Sequence, residues 1–182
     1  MAINLIGKLR NFDMKKLLPA FSIILFAVIL RLIPHPANVA PITAMALFGG
    51  VHLDKKYAVV IPLCAMLVSD LFLGFHATMP FVYGSFLLVG LIGLWLRRHK
   101  SLPMILSASL ASSILFFLIT NFGVWLMTNL YSKTITGLLE AYFMAIPFFR
   151  NTIIGDLLYA GLFFGTYELV LHYSKRFSIA SK

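Results

Sequence analysis

Six long apolar runs, continuous where a half-buried strand would alternate, decide what this chain can become. They lie at about Leu17 to Ile33, Pro41 to His52, Tyr57 to Leu73, Pro80 to Leu96, Leu102 to Met127 and Thr152 to Tyr173. Hydrophobic residues make up 60% of the chain and charged residues 12%, whereas roughly a quarter of a soluble domain is charged. Such a chain suits lipid as its solvent, and lipid requires each backbone N–H and C=O to be satisfied within its own span. The expected fold is all-α, an integral membrane bundle of six transmembrane helices.

Length leaves room for one domain. A basic tail over residues 1–16 is expected to precede a six-helix membrane domain over 17–174, with a second basic tail at 175–182. The second run is short, about 18 Å as a helix at 1.5 Å per residue, and is expected to be tilted and partly embedded. Between the last two runs, Gly137 to Ile146 is apolar but brief and is followed by Pro147, which removes a helical N–H. This predicts a short interfacial or cavity-covering helix between helices 5 and 6.

Cations orient the bundle, because Lys and Arg near span ends collect on the cytoplasmic side. Six spans bring Lys8, Arg10, Lys15, Lys16, Lys55, Lys56, Arg97, Arg98, Lys100, Lys175, Arg176 and Lys182 to one side. Only Lys133 and Arg150 fall opposite, with Arg31 inside a span. Both termini are thus expected in the cytoplasm. The net charge of +9 is explained by this topology, and the clusters lack the interleaved aromatics of a nucleic-acid surface.

Ionised groups within spans are costly, about 2.5 to 3.5 kcal/mol each on insertion scales, and ask for a partner or a watery cavity. Arg31, Asp70 and Asp156 are such groups, each expected about one turn below the outer end of its helix. His35, Asn38, His76, Tyr83, Asn121 and Asn151 fall at the same level. Phe117, Asn121 and Trp125 recur at four-residue spacing on one face, as Thr152, Asp156 and Tyr159 do on another, with Gly161 and Gly165 roughly opposite. These residues predict an outward-facing pocket for a small solute, although Arg31 with Asp70 equally suits a structural ion pair.

Cys64 is the only cysteine, so no intrachain disulfide forms, and its apolar surroundings suggest a core residue. The chain carries no HExxH, GxxxxGK[ST], GxSxG or GxGxxG motif, so no metal, cofactor or ATP-hydrolysing loop is expected. An intramembrane enzyme with an Asp and His76 as acid and base is a third reading, behind solute binding and scaffolding.

Several segments carry a resemblance. They are Arg31 to Gly50, Ser69-Asp70 with Gly74-Phe-His76, Phe116 to Trp125, and Pro147 to Thr152 with Gly155-Asp156. Together they resemble an uncharacterised bacterial family of six-span membrane proteins. That family is more distantly similar to the substrate-binding S components of energy-coupling factor transporters. The resemblance implies a vitamin-like or similar small-molecule substrate held near the outer face of the inner membrane. It also implies a transmembrane coupling protein and cytoplasmic ATPases as partners. Where S components often carry Ala-x-x-x-Ala on their first helix, Ala20 is followed here by Ile24. The alternative is a membrane scaffold with an S-component-like fold and no ligand.

Overall fold

In the computed structural model, which describes residues 14–180 apart from 35, 37 and 56, every apolar run becomes helical. The helices are α1 (Met14–Leu32), α2 (Ile42–His52), α3 (Val60–Leu73), α4 (Met79–Leu96), α5 (Leu102–Met127) and α6 (Ile135–Ala180). No strand occurs among the described residues. Proline sits within the first two positions of α4 and α5, where its missing N–H costs nothing, and the Ser101 side chain accepts from Met104 N–H to cap α5.

Three of these helices are long and apolar enough to cross a membrane, not six: Met79–Leu96, Leu102–Met127 and the 135–174 portion of α6. Large apolar side chains cover the outside, with Phe72, Leu130, Ile135 and Phe143 each more than three-fifths exposed. A surface so apolar is consistent with a membrane protein, since a soluble monomer avoids large contiguous apolar patches.

The short second run resolves differently from expectation. α2 is enclosed rather than partly embedded, with every residue from Thr43 to Val51 buried. It packs against all five other helices, most extensively α4 and α6. A helix apolar on all sides belongs inside a core, and one shielded by its neighbours need not match a bilayer's thickness. Its contact with α4 is backbone on backbone. A Cβ on Gly50 would lie 2.6 Å from the Gly93 Cα, and one on Gly93 would lie 2.6 Å from the Leu47 carbonyl oxygen. Only glycines allow this approach.

A second correction concerns Pro147, which does not end a separate interfacial helix. α6 runs unbroken for 46 residues through it, about 69 Å at 1.5 Å per residue. One interior proline forfeits one hydrogen bond, at about 3 kcal/mol. A break would instead leave as many as four unsatisfied groups on each side. The segment before Pro147 still covers the bundle, as its Tyr142 hydroxyl donates to the Leu118 carbonyl at 2.8 Å and its ring lies 5.6 Å from that of Phe117.

Small residues of the last two helices differ in where they face. Ala108, Ser109, Ser112 and Ser113 are buried in α5, but Gly161 and Gly165 face outward with open space beside them. The GxxxG pair therefore serves no packing within the described chain. Cys64 is likewise exposed rather than a core residue.

Candidate functional site

Arg31 is delivered to the bundle by the last turn of α1, where its cation complements the helix's negative end. Its Nη2 donates to Asp70 Oδ1 at 2.5 Å, and Nη1 donates to the Met66 carbonyl at 3.0 Å and to the Ser69 hydroxyl. Tyr83 of α4 donates its hydroxyl to Asp70 Oδ2 at 2.5 Å. Both carboxylate oxygens of Asp70 are thus engaged, and Asp70 is buried. The expected Arg31–Asp70 pair forms and ties α1, α3 and α4 together at one end of the bundle.

Beside this triad lies a cavity of about 280 Å³ whose wall includes Arg31, Asn38, Thr43, Thr152 and Asp156 among apolar Leu73, Val82, Phe86 and Phe116. A second chamber, about 360 Å³, is lined by Asn38, His76, Thr120, Asn121, Ala145 and Phe148. The two share Asn38, Val82 and Phe116 as walls. Asn38 holds a left-handed backbone, φ 63°, a conformation Asn tolerates better than most residues. The loop that carries it presses on α6 at Gly155, where a Cβ would sit 3.1 Å from the Val39 Cα. Absence of a side chain at 155 lets Asn38 approach the neighbourhood of Asp156.

Asp156 is a buried acidic group held by neutral partners. It is only 2% exposed, and its carboxylate accepts from the Ser113 hydroxyl at 2.6 Å and from Thr43. No Lys, Arg or His among the described residues forms an ion pair with it. Ser113 lies near the middle of α5, so Asp156 sits deeper than expected. The expectation of one turn below a helix end assumed that the last helix begins at Thr152, whereas α6 begins at Ile135.

A model of a family of unknown function, DUF6580, matches residues 12–179. The chain belongs to that family. No curated protein and no solved structure matches it.

Of the residues singled out in the sequence, Arg31, Asn38, His76, Asn121 and Asp156 line the two chambers. Asp70 and Tyr83 do not line them but hold Arg31 in place. His35 lies outside the described residues. His76 accompanies Asn121 in the second chamber and bonds Thr78 at 2.8 Å, whereas Asp70 is engaged by Arg31 and Tyr83. Trp125 departs from the chambers: its indole N–H donates to the Ser132 carbonyl at 2.9 Å, and Lys133 stands 5.9 Å over its ring. It fastens the α5–α6 connection. Asn151, half-buried on α6, lines neither chamber.

Sequence reasoning missed Thr43 and Ser113 as partners of Asp156. Hydroxyls are common in apolar helices because they bond their own backbone, as Ser112 does to the Ala108 carbonyl at 2.7 Å, so they carry little signal alone. Spacing held a clue for Ser113, which falls four residues before Phe117 on the face that continues to Asn121.

Proposed function

We propose that this protein is a membrane-embedded binding subunit for uptake of a small solute, held in the paired chambers beside Arg31. The six helices enter or cross the bilayer, α2 being carried inside the bundle, with both termini cytoplasmic in a bacterial inner membrane. The observation that carries the reading is Asp156, a buried carboxylate without an ion-pair partner among the described residues that forms part of a cavity wall in a largely apolar bundle. Burying a charge this way is expensive, and such groups in membrane proteins mark binding sites and ion pathways. Apolar walls with a few convergent polar groups are the usual make-up of small-molecule pockets. The ATPase and coupling protein expected from the resemblance to S components belong to this proposal, as the source of energy for release.

The test is native mass spectrometry of the intact protein released from detergent. A small molecule bound at one per chain is expected for the wild type. It should be lost in Asp156→Ala and in Val82→Phe, which places an aromatic ring at the wall shared by both chambers. Melting temperatures of the variants confirm that they fold.

One observation favours a second reading. The Arg31–Asp70–Tyr83 triad satisfies itself without a ligand, as a scaffold fixing helix register would. A wild-type spectrum with no small molecule, but with a stoichiometric protein partner, would establish the scaffold instead.

A further inference from the structure

The charge balance of the first chamber bears on the class of solute. Its lining holds two charged side chains, Arg31 and Asp156. Arg31 is neutralised: one of its terminal nitrogens is on the Asp70 carboxylate, and the other is on the Met66 carbonyl and Ser69. It offers no uncompensated positive charge to an anion. Among the described residues, Asp156 by contrast has only neutral partners, Ser113 and Thr43. A carboxylate has about four lone-pair sites, so two hydroxyl donors leave it able to accept further hydrogen bonds.

The rest of the wall says what the cation is attached to. Leu73, Val82, Phe86 and Phe116 are apolar, and the Phe86 and Phe116 rings lie 5.0 Å apart at 33°. Aromatic faces attract a cation and shelter an apolar body equally well. Calcium or magnesium suits this chamber poorly, because each takes about six or more oxygen ligands and only Asn38, Thr43, Thr152 and Asp156 bring side-chain oxygens, and no cluster of three or more His, Cys, Asp or Glu occurs among the described residues.

Building on the solute-binding reading above, we infer that the first chamber takes a small organic monocation, an ammonium or amidinium head on an apolar body. The head sits on Asp156 and the body against Phe86 and Phe116.

Three probes of matched size test this at pH 7: benzylamine, benzyl alcohol and benzoate. Each is titrated calorimetrically into the detergent-purified full chain, with empty micelles as the blank. The wild type should bind benzylamine at least tenfold more tightly than benzyl alcohol and show no heat with benzoate. Asp156→Asn should reduce the preference for the amine to less than twofold. Equal binding of amine and alcohol, tighter binding of benzoate, or no binding of benzylamine overturns the inference. The wild-type comparison decides even where Asp156→Asn fails to fold. Native mass spectrometry separates this failure from that of the broader reading. A copurifying neutral or anionic solute overturns the cation assignment and leaves solute binding standing, whereas the absence of any solute together with no benzylamine binding overturns both.

Discussion

Arg31 and Arg97 are half-buried arginines at opposite ends of the bundle, and the bundle satisfies them by opposite means. Arg97 follows α4 and donates from Nε and Nη2 to the Gly50 carbonyl at 3.1 and 2.7 Å, and from Nη2 to Leu53. It closes the C-terminal end of α2, where unpaired carbonyls and the helix dipole supply negative potential, and Asp54 adds an attraction without a salt bridge among the described residues. Rings pack closely near Arg97, with Phe48 5.4 Å from both Phe164 and Tyr167 and His52 4.0 Å from Tyr167, and the hollow at this end, about 390 Å³, lies beyond them between Lys100, Ile105, Phe164 and Glu168. At the other end, Arg31 takes a buried carboxylate and a tyrosine, and chambers remain beside it. A cation spent on backbone closes a helix end, whereas one spent on a carboxylate clamps three helices around a hollow.

The sharpest way to break this contrast is to remove Asp70. Asp70→Ala leaves Arg31 uncompensated and should cost about 3–5 kcal/mol of stability, read as unfolding in mixed detergent micelles. The double variant Arg31→Met, Asp70→Leu should recover most of the loss, since it removes both charges together. Failure of that recovery would show that the triad contributes more than charge balance.

Gly50→Val attacks the other end through its packing. The added carbons meet the Gly93 backbone, which cannot rotate away, so the cost should reach the upper part of the usual overpacking range, about 3 kcal/mol. A drop in melting temperature without loss of ligand would confirm that this end is structural. Arg97→Ala should cost less, about 2 kcal/mol, the worth of a charged hydrogen-bonding group. Hydrogen exchange should rise at the last turn of α2 while the chambers stay protected.

Glu168→Gln is the weakest perturbation. Glu168 pairs with Lys100, but both are substantially exposed, and such pairs contribute about 0–1 kcal/mol. A melting temperature within a degree or two of the wild type is expected. A larger fall would mean that the Arg97 end, too, depends on a carboxylate.

Much of the site was legible in the sequence because charged and amide residues are rare in apolar runs. Arg31, Asp70, Asn121 and Asp156 stood out for that reason, and the alternation of six runs placed them toward one end. Thr43 and Ser113 stayed hidden, since a hydroxyl inside a helix is satisfied by its own backbone and marks nothing until a carboxylate from another helix meets it. Trp125 was misplaced for a related cause. Helical spacing aligned it with Asn121, but the loop at Ser132 and Lys133 reached it first.

Helix content and the apolar exterior follow from the sequence alone, because backbone hydrogen bonds in helices are local and hydropathy is additive along the chain. The tertiary structure decided everything that depends on which faces meet. It made the short second run a buried hub enclosed by the other helices, and it carried α6 through Pro147. It also turned Gly161 and Gly165 outward, spent Arg31 on Asp70, and left Asp156 as the charge in the cavity wall without an ion-pair partner among the described residues. The physical reason is the same in each case: local periodicity gives a helix its faces, but only packing between distant segments determines what each face is buried against.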